Sequence, residues 1–261
     1  MSETATLLYE IENAIANGSP RQRLRALKRI CDLFAAGSGR YSDEQIAVFD
    51  DVLMNLAAVI ETEARAKLAR RLAALPDAPP KMIRSLAFDP EIEVAGPVLT
   101  HSERLTDPDL IENASTQSQD HLYAISQRRS LSEAVTDVLV ERGNRRVAHS
   151  VVQNGCARFS DAGFSRLVSR ADGDETLAEC LGLRKDIPRH HLLRLLETAS
   201  AKVRDKLAAA HPGISDTVQS VVAEVAGKIS RKLRDSSPEF YKAKAATKRR
   251  YKTSQLTERA V

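Results

Sequence analysis

One short pattern recurs across residues 93–199, and it constrains this chain more than any other feature. It first appears as Val94-Ala95 with Pro97-Val98-Leu99, a polar break over 102–109, and a second apolar run at Leu110-Ile111. Val147-Ala148 with Val151-Val152, a break over 158–162, then Phe164 and Leu167-Val168 reproduce it 53 to 54 positions later. A third copy has Leu177-Ala178 and Cys180-Leu181, a break over 184–188, then Leu192-Leu193 and Leu195-Leu196. Short apolar runs at helical spacing, punctuated at intervals by polar breaks, read as stacked helical hairpins, each burying its apolar face only against its neighbours. The expected fold is all-α, a short helical-hairpin repeat array of α-solenoid type with an N-terminal helical bundle as its cap. Leu99, Val152 and Leu181 fall at equivalent inward positions of three units and should be buried.

Composition agrees. Hydrophobic residues make up 43% of the 261, enough for a core, whereas aromatics reach only 4% and Trp is absent. Ala and Leu are plentiful and β-branched runs few, which favours helices over sheets. Cys31, Cys156 and Cys180 are far apart, odd in number and without a CxxC pair, so no disulfide framework or thiolate zinc site is indicated. Residues 1–18 carry Glu3, Glu10 and Glu12 and lack the cationic start and apolar block of a secretory signal, and no apolar run approaches ~20 residues. A cytoplasmic protein is expected.

Local chemistry sets the expected boundaries. Ser2 caps a first helix closed by Gly18. Pro20 opens a second, with Leu24, Leu27, Ile30, Cys31 and Phe34 as its apolar stripe and Arg21, Arg23, Arg25, Lys28 and Arg29 mostly solvated. Ser42 with Gln45 makes a capping box for a third. Residues 1–62 form the cap, 63–229 the repeat array, and 230–261 a basic segment that reads as a solvated tail or the start of a further repeat. The hairpins fall at 63–90, 91–114, 119–142, 144–171, 174–199 and 201–225. Helix-start chemistry stands in their breaks: Thr106-Asp107-Pro108, Ser130 followed by Glu133, Ser160-Asp161, Asp186-Ile187-Pro188 and Ser215-Asp216.

Three segments, 94–113, 124–143 and 147–171, carry more than a generic repeat. Their most distinctive residues are Arg128-Arg129, Val135-Thr136-Asp137, Arg142-Gly143 and 154–160. On these the chain resembles an uncharacterised bacterial family of unknown function, frequent in alphaproteobacteria, with HEAT-like helical repeats. The resemblance implies an all-helical cytoplasmic protein and transfers no active site.

Candidate binding residues follow from the same segments. Arg128, Arg129, Asp137 and Arg142 sit where two helices of the third hairpin would meet. A carboxylate among guanidiniums there forms either a docking site for an acidic group or a structural network holding repeats in register. Asn154-Gly155 is a turn dipeptide in which Gly155 accepts positive φ and Asn154 bonds the neighbouring backbone. The net charge of +4 is uneven: residues 228–252 hold ten Lys/Arg against Asp235 and Glu239, a net +8, leaving −4 elsewhere. Lys242, Lys244, Lys248, Arg249, Arg250 and Tyr251 are the candidates for nucleic-acid contact, with Phe240 and Tyr241 interleaved. The six histidines form no HExxH or i,i+4 pair, and no GxxxxGK[ST] or GxGxxG occurs. No cofactor and no metal are expected. The expectation is a non-catalytic interaction scaffold in bacterial regulation, binding an unidentified protein partner on the concave face of the array. Nucleic-acid binding or repair is the alternative.

Overall fold

The computed structural model describes residues 13–14 and 16–210, and from Pro20 onward these form thirteen α-helices. Among the described residues there is no strand, only an isolated parallel bridge between Leu131 and Ala157. Two compact units divide at Ile187 and Pro188. The first contains α1 (Pro20–Gly37), α2 (Asp43–Ala57), α3 (Thr62–Leu72), α4 (Pro80–Ala87), α5 (Ile92–His101), α6 (Asp107–Thr116), α7 (Gln119–Ser126), α8 (Glu133–Arg142), α9 (Arg145–Gln153), α10 (Asp161–Arg170) and α11 (Glu175–Gly182).

Packing within this unit sorts the helices into two rows. In the odd row each helix lies on the next odd one, α1 on α3, then α5, α7, α9 and α11. In the even row α2 packs on α4, α6 on α8, and α8 on α10. Many successive helices also touch, among them α1 with α2, α3 with α4, α4 with α5, α7 with α8 and α8 with α9, so the two rows are bridged along their length. From α3 onward the helices have 8–11 residues, below the ~12–15 at which an isolated helix holds in water, so the stacking stabilises them. The 53-residue recurrence is now explained: Val94-Ala95 lie buried in α5 and Val147-Ala148 in α9, two repeats apart in the odd row, while Leu177-Ala178 in α11 is one repeat further. Leu99, Val152 and Leu181 are 0%, 2% and 0% exposed, as the repeat register requires.

Most helix starts follow the expected chemistry. Ser19 and Gln22 make a capping box at α1, with Pro20 in its first turn, and Ser42 and Gln45 make another at α2. Thr106 and Asp109 do the same at α6, and the Ser160 hydroxyl accepts from Gly163 N–H at α10. Three expectations are corrected. At Asp186-Ile187-Pro188 the helix begins after Pro188 with no side-chain cap, the Asp186 carboxylate being held by Arg184 (2.8 Å) instead. The cap of α8 is Ser132, not Ser130: Leu131 is buried and held in the bridge to Ala157, so the chain stays extended past it before turning helical. Leu24 does not join the buried stripe of α1. It is 38% exposed, and Ala26 takes its place in the core.

A buried aspartate escaped the sequence reading. Asp50, on α2, is 1% exposed and accepts from the N–H groups of Lys81 (3.0 Å) and Met82 (2.7 Å). Helix α4 starts at Pro80 with no cap of its own, so its free N–H groups are satisfied by the preceding even helix.

The second unit contributes α12 (Arg189–Thr198) and α13 (Ala201–Ala210) to the described residues. Leu192, Leu195 and Leu196 are buried in the former, Val203 and Leu207 in the latter. The Ser2 and Ser215-Asp216 caps and the basic segment lie outside the described residues.

Candidate functional site

The residues singled out in the sequence separate into two kinds. Arg128, just past α7, donates from Nη1 to the Leu99 carbonyl (2.7 Å) and from Nη2 to the Ser102 carbonyl (2.8 Å), both at the end of α5. Burial pulls its pKa below the usual arginine value, against the opposing pull of Asp107 and Glu103. Arg142, ending α8, donates to the Ala114 carbonyl of α6. Asn154, ending α9, donates to the carbonyls of Ser126 (3.1 Å) and Arg128 (2.7 Å) at the end of α7.

Three more residues complete the pattern. Asn113 of α6 donates to the Ala87 carbonyl of α4 (2.8 Å). Arg170 of α10 donates to Val140 (2.6 Å) and Gly143 (2.7 Å) at the end of α8. Arg184, past α11, donates to Val152 (2.9 Å), Asn154 (2.8 Å) and Ala157 (2.8 Å) at and beyond the end of α9. From α4 to α9, every helix has carbonyls at its C-terminal end met by a side chain from the second helix along, 26 to 32 residues downstream. The last turn of a helix leaves carbonyls without intrahelical partners, and a guanidinium offers several donors in a planar fork to meet them.

Asp137 is not part of a guanidinium cluster. Its carboxylate accepts from the Ser160 hydroxyl (2.7 Å), tying α8 to the cap of α10, and Arg128, Arg129 and Arg142 make no ion pair with it. Arg129 is exposed. At Asn154-Gly155 the expected backbone bond is present, Asn154 Oδ1 accepting from Cys156 N–H (3.0 Å). Gly155, however, does not adopt positive φ, because this turn closes through the Asn154 side chain. Lys242, Lys244, Lys248, Arg249, Arg250 and Tyr251 lie outside the described residues.

The starts of the odd helices hold a second set of contacts. Arg65 on α3 pairs with Asp89 (2.7 Å), which also accepts from Glu91 N–H at the start of α5. Arg145 on α9 pairs with Asp174 (2.7 Å), the cap of α11, which accepts as well from His149 Nε2 (2.8 Å) and Leu177 N–H (3.1 Å). The Arg145 guanidinium is the main reason the Asp174 carboxyl is held well below the usual range. Burial opposes it, and His149 and the Leu177 N–H reinforce it.

Two hollows open on the odd row. A groove of 640 Å³ crosses α3, α5, α7 and α9, with Ala73, Ala74, Gly96, Pro97 and Ala124 as its low floor. Small side chains make the trough, and Pro97 inside α5 withholds an N–H from the Glu93 carbonyl. Arg146 and Asp120 form one wall, 3.3 Å apart, with the guanidinium 3.6 Å over the Tyr123 ring. A second cleft of 380 Å³ lies between α1 and α3, floored by Leu24, Leu27, Cys31 and Leu68. Burial pushes the Cys31 thiol up to about 11, so it serves there as an apolar surface. Arg70 lines both hollows and forms the ridge between them. The sequence reading missed both. The signal for the first was its small residues, Ala73, Ala74, Gly96, Pro97 and Ala124; the second, floored mainly by leucines, had no such signal.

No described helix is long and apolar enough to cross a membrane. A family model described as an uncharacterised protein conserved in bacteria (DUF2336) matches residues 94–261. No curated protein and no solved structure matches the chain.

Proposed function

The chain belongs to the uncharacterised bacterial family DUF2336, and we propose that it is a non-catalytic interaction scaffold, a HEAT-like array whose odd-row face binds a segment of a partner protein. The groove across α3, α5, α7 and α9 carries this reading. Rows of short helices held by side-chain caps give a rigid platform, and a preformed hollow spares a partner the cost of opening one. The array supplies a surface several helices long, which suits an extended or helical segment better than a small metabolite.

Affinity capture from native lysate, with mass spectrometry, tests the reading. The plug variant Ala74→Trp sets a ring over the groove floor at an exposed position and should leave melting unchanged. The reading expects a protein captured by the wild type and lost from the variant; equal capture by both would move the site off this face. Charge reversal at Arg128 or Arg142 is the poorer probe, because those side chains hold helix ends and their loss reports on folding.

A further inference from the structure

We infer that the segment received by the odd-row face is acidic and apolar-faced, a protein helix or strand with a hydrophobic stripe bordered by Asp and Glu. The inference deepens the scaffold reading and rests on it.

The charge of the lining carries it. The two hollows that meet at Arg70 are bordered by Lys28, Lys67, Arg70, Arg71 and Arg146, against Asp120 as the one carboxylate of the lining. Three of these cations have ion-pair partners: Lys67 with Glu63 (2.6 Å), Arg71 with Asp32, and Arg146 with Asp120. Lys28 and Arg70 are exposed and make no described ion pair. Between the cations the surface is aliphatic, with Leu24 38% exposed beside the buried Leu27 and Cys31. A face with an apolar floor and a cationic border is complementary to a ligand with an apolar stripe and an anionic border.

Two observations favour protein over nucleic acid. Bases bind such grooves by stacking on open aromatic faces, and the one Phe, Tyr or Trp lining the two hollows, Tyr123, is already covered by the Arg146 guanidinium. The remaining floor is Leu, Ala, Pro, Gly and Cys, which packs against aliphatic side chains. At interaxial spacings of about 8–10 Å, α1 to α9 along the odd row spans about 35 Å, matched by roughly twenty helical residues.

Fluorescence anisotropy with three labelled synthetic helices of about twenty residues tests this. All share one leucine stripe, and the flanking positions carry Glu, Gln or Lys. The expected result is binding of the Glu peptide at least about tenfold tighter than the Gln peptide and weakening as salt rises. The double variant Lys28→Glu with Arg70→Glu should melt like the wild type and lose about tenfold in affinity for the Glu peptide. Equal binding of all three peptides would overturn the acidic preference and leave the scaffold reading standing. Binding of none would remove this face as a docking surface and both readings with it. Tighter binding of a single-stranded oligonucleotide, or of anionic phospholipid vesicles, than of the Glu peptide would also overturn the inference.

Discussion

The guanidinium of Arg184 sits 2.9 Å from the carbonyl oxygen of Val152, a residue 32 positions earlier and one repeat away. The same side chain reaches Asn154 and Ala157, pairs with Asp186 at 2.8 Å and lies 4.7 Å over the Phe159 ring, at only 8% exposure. Replacing it with Met keeps much of the volume but strands three carbonyls and a carboxylate. Arg184→Met should cost about 2–4 kcal/mol in denaturant unfolding, since bonds to charged donors contribute about 1.5–3 kcal/mol each and overlap here. Arg184→Lys should recover little, because one ammonium does not span three acceptors. Wild-type stability in Arg184→Met would show that water caps α9 equally well.

The core register is tested at Leu99, Val152 and Leu181. Each lies buried in the odd row, in α5, α9 and α11. Truncation to Ala should lower stability by roughly 2–5 kcal/mol at the leucines and somewhat less at the valine, read from urea midpoints at unchanged slope. Wild-type melting at all three would break the equivalence between repeats.

Gly143 and Gly155 make a paired test of why glycine stands where it does. A Cβ on Gly143 would run into the Leu139 carbonyl and approach Val147 Cγ1 to 2.5 Å, while one on Gly155 would meet nothing within 4 Å. Gly143→Ala should cost about 1–3 kcal/mol through overpacking, and Gly155→Ala should be close to neutral. Thermal melts of the two variants side by side decide this, and equal losses would put the clash in doubt.

Acid should loosen the α9–α11 contact. The Asp174 carboxyl is held low in the folded chain, so it binds a proton more readily when unfolded. Its contribution is therefore complete above the unfolded carboxylate value of about 3.9 and is lost as the pH falls below it toward the folded value. The wild type should lose stability below about pH 4 more steeply than Asp174→Asn, which is weaker at neutral pH and flatter in acid. Parallel acid limbs for the two proteins would remove Asp174 from the account.

Much of this architecture was legible in the sequence because apolar spacing and cap residues are local signals. Thr106, Ser160 and Ser42 announced their helices within four residues of chain, and the hairpin limits at 119–142 and 144–171 match α7 to α10. The Ser130 reading failed because the competing demand, burial of Leu131 against Ala157, comes from 26 residues away. The carbonyl ladder was hidden for a related reason. Arg128, Arg142 and Asn154 stood out as residues, yet their acceptors are backbone atoms, which any amino acid presents. The visible trace was a polar residue at the end of a helix every 12 to 16 positions through Asn113, Arg128, Arg142, Asn154, Arg170 and Arg184. The grooves were harder still to see, since an Ala on an exposed helical face has the same composition whether it floors a binding surface or faces open water.

Every donor in that ladder lies downstream of its acceptor, which gives the array an arrow. As a ribosome releases the chain, the end of α5 waits for Arg128 to emerge and the end of α7 waits for Asn154. Each helix is thus completed only after the next hairpin has been made, so the nascent chain should set in a moving front about one repeat behind synthesis. A chain arrested between Asn154 and Arg184 would hold α5 to α7 closed while α9 still lacked its donor.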